Sequence, residues 1–283
     1  MIKRVIFAFI VLSLAQAACT INIFTEPTAT ATEIVLPTNT ATVAASETPT
    51  PSVTLTPSQT AEPSETLEPS ETPEDTATPT EPPFDPSAQY GAPTLFDSMD
   101  SDRNWAGSSG LPDDDNIRLA LGGGNLHVTG KKAEWDTWWY TSTVAGDLYI
   151  QIEVNSGSCS GKQAYGLILR GPASVGAEAR GYIFTFSCDG SYRLDRLDDT
   201  APFTKTELIG WTKSDHINAG DNETNMLGIR MVGEDITLYA NGFELEDLDD
   251  GTFASGRFGL FVNASSPGNY TFDVDELSYW DLD

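Results

Sequence analysis

From about residue 89 to its C terminus the chain is written in short apolar alternations, each closed within a few residues by glycine, asparagine or aspartate. Side chains that alternate with a period of two belong to strands with one buried face. Turn clusters every 8–12 residues or so are the spacing of an all-β sandwich. No stretch sustains the 3.6-residue period of an amphipathic helix, so helix content is expected to be very low. Strands are expected near Asn116–Leu121, Asn125–Thr129, Trp138–Thr143, Asp147–Val154, Ala164–Arg170, Tyr182–Cys188, Ser191–Leu197 and Glu207–Trp211, then near Asn225–Val232, Asp235–Ala240, Phe243–Leu248, Arg257–Asn263 and Tyr270–Trp280. Asp189-Gly190 and Asn241-Gly242 mark two tight hairpins, because both dipeptides accept the positive φ that such turns need. Residues 89–283 are enough for one good core, so one domain is expected there.

Upstream the texture is different. No aromatic occurs between Phe24 and Phe84, and residues 20–86 hold 18 Thr, 12 Pro, 5 Ser and 11 acids with no Lys or Arg. Such a segment has too little apolar surface to offset the entropy of ordering, so 19–88 reads as a disordered linker. A six-residue repeat runs through it from Ser46-Glu-Thr-Pro-Thr-Pro51 to Ser64-Glu-Thr-Leu-Glu-Pro69. Fully extended at ~3.1 Å per residue it spans about 200 Å, enough to hold a domain clear of an envelope.

Residues 1–18 read as a signal peptide. Lys3 and Arg4 precede a ten-residue apolar run, Val5–Leu14, which is about half the length that a bilayer crossing requires. Two processing readings compete. Ala15-Gln16-Ala17 fits ordinary cleavage, whereas Ala17-Ala18-Cys19 resembles a bacterial lipobox, with Gln16 where an aliphatic residue is usual. Three cysteines favour the second: Cys159 and Cys188 are able to pair, which leaves Cys19 as an odd exported thiol suited to lipidation. The expected location is the cell surface, as a lipoprotein, or else the medium after simple secretion. Closing the Cys159–Cys188 loop would add roughly 3–4 kcal/mol by loop entropy.

Charge excludes one class of partner. From residue 87 on there are 31 acidic and 13 basic residues, a net charge of −18 on one unit. That field repels phosphate backbones and anionic headgroups, so no nucleic acid is expected, and membrane contact only through a lipid anchor at Cys19. A monomer is expected.

Six segments in order carry a resemblance: Tyr165-Gly-Leu-Ile-Leu-Arg170, Gly181-Tyr-Ile-Phe-Thr-Phe-Ser-Cys-Asp-Gly-Ser-Tyr-Arg-Leu194, Leu208-Ile-Gly-Trp211, Ile236-Thr-Leu-Tyr-Ala-Asn-Gly242, Phe253-Ala-Ser-Gly-Arg-Phe-Gly-Leu260 and Phe272-Asp-Val-Asp-Glu-Leu277. The series resembles the concanavalin A-like lectin/glucanase superfamily, nearest to its 3-keto-disaccharide hydrolase-like (DUF1080-type) branch, over roughly 95–283. The resemblance implies an antiparallel jelly-roll sandwich of two curved sheets whose concave face often receives carbohydrate. It leaves activity open, since the superfamily hosts enzymes, lectins and spacers. It also implies a structural Ca²⁺ held by an aspartate near the last strand, where this chain has Asp275.

Catalytic signatures are thin. Retaining glucanases of the superfamily carry Glu-x-Asp-x-x-Glu. The nearest match here is Glu134-Trp-Asp136-Thr-Trp-Trp139, which lacks the last carboxylate. His127 and His216 are isolated, so neither a triad nor a histidine metal cluster is argued. Gly122-Gly-Gly124 reads as a turn and Asp113-Asp-Asp115 as a solvated loop. Binding is the better-supported role, because sugar faces stack on aromatic rings while polar side chains orient hydroxyls. Trp138, Arg170, Tyr182, Arg193 and Trp211 are the ligand-binding candidates. Arg170 earns its place because Tyr165, Leu167 and Leu169 share the core face and alternation sends Arg170 to the other. The expected function is a cell-surface or secreted lectin-like module with a glycan partner. The alternatives are a glycoside hydrolase of the 3-keto-disaccharide type and a non-catalytic structural or adhesion module.

Overall fold

Each of the thirteen expected segments is a strand in a computed structural model that describes residues 83–174, 179–198 and 204–283. The leader, Cys19 and the Thr/Pro stalk up to residue 82 lie outside the described residues. Two antiparallel sheets face each other. The larger runs, in spatial order, through β12 (Phe243–Asp249), β11 (Asp235–Ala240), β10 (Thr224–Val232), β5 (Leu148–Asn155), β14 (Tyr270–Asp281), β3 (Asn125–Gly130) and β2 (Ile117–Gly122). A short β1 (Leu95–Asp97), too brief to show in the alternation, pairs with β14. The smaller sheet runs β4 (Trp135–Ala145), β13 (Gly256–Ala264), β6 (Ala164–Gly171), β7 (Gly181–Ser187), β8 (Ser191–Asp198) and β9 (Thr204–Lys213). This is the jelly-roll sandwich expected. Among the described residues no helix is long and apolar enough to cross a membrane.

Period-two alternation decides what lies between the sheets. Ile150, Ile152 and Val154 of β5 meet Tyr165, Leu167 and Leu169 of β6 and Phe184 and Phe186 of β7 in one buried cluster. On β14 the buried set changes parity, from Phe272 and Val274 to Leu277 and Tyr279. The cause is a bulge: the pairing with β5 slips between Val274 and Glu276, leaving Asp275 as the extra residue. Hairpin chemistry holds as expected, with φ of 52° and 82° at Asn241 and Gly242 and 77° at Gly190.

Packing reaches back into the segment whose composition reads as linker. Asp85 caps a five-residue helix, α1 (Pro86–Tyr90), its side chain accepting from the amides of Ser87 and Ala88, with Pro86 at the first position. The Phe84 amide donates to the Gly242 carbonyl at 2.6 Å. Its ring stacks on Tyr239 at 4.9 Å and meets the edge of Tyr149 at 5.3 Å, on the outer face of the larger sheet. The Trp280 indole donates to the Gly91 carbonyl at 2.9 Å and closes this strap. A lone phenylalanine after a Pro pair gave no periodic signal, so composition alone could not place it.

Candidate ligand groove

The same alternation that fills the core sends a second set of side chains to the outer face of the smaller sheet. The registers line up Asp136, Asn263 and Ala164 across β4, β13 and β6. One row along, Trp138, Phe261, Gly166, Thr185 and Arg193 continue through β7 and β8. Asp195 sits opposite Ile183 and Glu207. Of these, Asp136, Asn263, Ala164, Phe261, Thr185, Arg193, Asp195 and Ile183, together with Glu134, Lys162, Lys205, Trp211 and Ser265, line a groove of about 280 Å³.

The sheet is strongly curled over this groove. β4 and β9 are its opposite edges. At about 4.8 Å per strand a flat sheet would hold them roughly 24 Å apart. Yet Lys205 of β9 reaches Asp136 of β4, Nζ to Oδ2 at 2.7 Å, and stands 3.5 Å from Asp195 of β8. Only a deeply concave face lets one lysine side chain make both contacts.

Every charge lining the mouth except the exposed Glu134 has a named partner. The Asn263 amide donates to Asp136 Oδ1 at 2.6 Å. Arg193 donates through Nη2 to Asp195 Oδ1 at 2.7 Å and lies 3.7 Å from Glu207, while its Nε is buried with no hydrogen-bond partner. Lys162 is 2.9 Å from Asp189, donates to the Ser191 hydroxyl at 3.0 Å, and sits over the Trp211 ring at 4.5 Å. The Arg193 guanidinium lies 5.7 Å from the same ring. Burial pushes the Asp189 carboxyl up, but hydrogen bonds from Ser187, Lys162 and Ser191 outweigh it and hold the group well below the usual carboxylate range.

The five sequence candidates divide. Arg193 and Trp211 line the groove. Trp138 is on the same face but is half-buried against Ile168, Ile183, Leu197 and Phe261, packing the part of the face beyond the groove. Tyr182 is 0% exposed and belongs to the core; its hydroxyl donates to Asp250 and accepts from the Phe253 amide. Arg170 is also 0% exposed and is not open to a ligand. Its φ of 50° breaks the alternation that was to place it outward, and the side chain turns to the end of the sandwich. There Nη1 donates to the carbonyls of Gly233 and Phe253 and Nη2 to that of Gly146, tying three loops together. Strand parity counted from Arg193 and Asn263 would have found Asp195 and Phe261. The long-range partners Lys162 and Lys205 leave no such local signal.

Cys159 and Cys188 form a disulfide with Cα atoms 5.3 Å apart, which fastens the loop carrying Lys162 beside Asp189. Glu134 and Asp136 share the groove face as alternation requires, whereas Trp139 turns inward and donates to the Trp105 carbonyl. His127 pairs with Asp273 at 2.5 Å, and His216 stacks on Phe243. Asp113 pairs with Lys131 and Arg118, and Asp114 accepts from the Asn116 and Ile117 amides, as in a solvated turn. The calcium expectation rests on Asp275, the bulge residue of β14, with backbone carbonyls as its co-ligands. Among the described residues no three His, Cys, Asp or Glu side chains are grouped to hold a metal ion, and the nearby Asp273 is taken by His127. Burial and the Asp273 charge push the Asp275 carboxyl up.

No protein-family model matches the chain, and no curated protein matches it. Solved structures similar to it include the carbohydrate binding module CBM66 from Bacillus subtilis, with 17% identity and a TM-score of 0.44 over 59% of this chain and 89% of that one. A glycoside hydrolase family 16 endo-glucanase from Bacteroides ovatus gives 8% identity and a TM-score of 0.49 over 65% and 99%. The GH43 protein BlXynB from Bacillus licheniformis gives 13% and 0.48, and the chain spans 39% of its length. The functional reading is carried by the groove's own chemistry, not by these likenesses.

Proposed function

We propose that the domain is a carbohydrate-binding module whose groove takes a neutral sugar, and that it is exported, anchored through a lipid on Cys19 and held out on its Thr/Pro stalk. One observation carries the binding reading: a half-buried Trp211 stands beside an Arg193 whose Nε is buried without a partner, on a face that also offers Asp136, Asp195 and Asn263. A sugar presents an apolar ring face to an indole and its hydroxyls to fixed acceptors and donors. Neutrality follows from charge. Lys162, Arg193 and Lys205 are each already paired with carboxylates, so among the described residues no cation lining the groove stands free for a sugar acid. The net −18 of the domain repels polyanions as well.

A glycan array read with the full chain tests this. Signal on neutral glycans that Trp211→Ala and Arg193→Ala both remove supports it; signal that survives both variants overturns it. Anchoring is tested by the mass of the mature N terminus: a diacylated Cys19 supports it, and an unmodified terminus after Ala17 replaces it with secretion.

A second reading has one observation behind it. A single ammonium touches both Asp136 and Asp195, so the two carboxylates stand close across the groove, as a glycosidase pair does. Against it, Lys205 occupies one oxygen of each carboxylate, and Asn263 and Arg193 occupy the others. Turnover of a 3-keto-disaccharide that Asp195→Asn abolishes would install the hydrolase in place of the binding module.

A further inference from the structure

The Lys205–Asp136 ion pair joins the two opposite edges of one sheet, and the groove floor of Ala164, Ile183, Thr185 and Phe261 lies on β13, β6 and β7 between them. A bridge from edge to edge crosses whatever path a ligand would follow along the strands. We infer that this ion pair is a size filter: closed, it admits a ligand about one sugar ring wide and bars a chain threaded through the groove.

Three further observations bear on it. The groove measures about 280 Å³, just under the ~300–1,000 Å³ that holds a drug-sized ligand. The bridge is built rather than incidental, because Asn263 fixes the other oxygen of Asp136 and Arg193 fixes the other oxygen of Asp195. Beyond the bridge Trp138 lies on Ile168, Ile183, Leu197 and Phe261 and covers that part of the same face. The lysine itself is the movable part. Its side chain is 32% exposed and starts from an edge strand, whereas Asp195 is 4% exposed. The identity of the ligand rests on the binding reading above; the filter itself does not.

The test therefore uses no sugar. Thr185, on the groove floor and 4% exposed, is replaced by cysteine in the full chain. Labelling at that position is read by peptide mass with a small methanethiosulfonate and with a fluorescein maleimide, in the Lys205, Lys205→Met and Lys205→Arg backgrounds. Circular dichroism confirms that each variant folds. The filter predicts that the small reagent reacts in all three, and that the bulky one reacts at least tenfold faster with Lys205→Met than with the other two. High salt should speed the bulky reagent in the Lys205 and Lys205→Arg backgrounds but not in Lys205→Met, since the pair is partly exposed to screening. Equal bulky-reagent rates in all three backgrounds overturn the inference, as does failure of the small reagent, which would mean that the floor is shut without the bridge. Absence of any glycan binder, with the labelling result as predicted, would sink the sugar reading and leave the filter standing.

Discussion

Lys205 and Asp136 stand on the two outermost strands of a six-stranded sheet, and their side chains meet at 2.7 Å. That contact measures how far the sheet has curled, and it makes a groove of a face that would otherwise be flat. The residues beneath it, chiefly Trp211 and Arg193, receive their chemistry from this curvature.

Arg170 acts on stability rather than on ligand. Its guanidinium serves three loop carbonyls from a fully buried position. Arg170→Ala leaves those acceptors without a donor and is expected to cost roughly 3–5 kcal/mol in urea unfolding, the range for breaking a buried charged network. Any folded fraction should bind ligand as the parent does. A loss below about 1 kcal/mol would show that the loops do not need it.

The strap sets the true start of the fold. Phe84→Ala removes a ring packed on Tyr239 and Tyr149 and should cost about 2–3 kcal/mol, less than a fully buried phenylalanine because Phe84 is only half-buried. A chain beginning at residue 89 should melt several degrees below one beginning at residue 83. Equal melting temperatures would return 83–88 to the linker.

Reducing the Cys159–Cys188 bridge frees a loop closed over 29 residues. The Cys159→Ser, Cys188→Ser double variant is expected to lose about 3–4 kcal/mol in denaturant unfolding. Unchanged unfolding would mean that the hydrogen bonds of Gln163 and Gly161 to Cys188 and Asp189 already hold the loop.

Acid should loosen the Lys162 end of the groove. Asp189 titrates below its unfolded value, so it binds fewer protons folded than unfolded. Its contribution is complete above the unfolded carboxylate value of about 3.9 and is lost as pH falls towards the lower folded one. Stability measured between pH 5 and 2 should therefore fall less steeply in Asp189→Asn than in the parent. Parallel acid limbs would contradict the assignment.

Much of the fold was legible because alternation and turn dipeptides are local signals. Thirteen strands, two hairpins and the buried faces of Tyr165, Leu167 and Leu169 follow from them. What escaped depends on departures from local rules or on distant parts of the chain. The left-handed φ at Arg170 defeats a parity argument that was correct up to Leu169. Phe84 sits in stalk-like composition and gains meaning only from Tyr239 and Tyr149. In the groove, Arg193 and Trp211 were readable as polar and aromatic residues on strands, but their neighbours Lys205 and Asp136 are 69 residues apart and meet only once the sheet curls.

The central claim, a neutral glycan held by Trp211 and Arg193, is tested most directly by affinity electrophoresis of the full chain. Gels carry neutral glucans, fructans, galactans or xylans, or the acidic polymers alginate and polygalacturonate. At least one neutral polymer should retard the parent through its terminal sugars, neither acidic polymer should, and Trp211→Ala should run unretarded in every gel. Retardation by acidic polymers alone, or retardation of Trp211→Ala equal to that of the parent, would contradict the account.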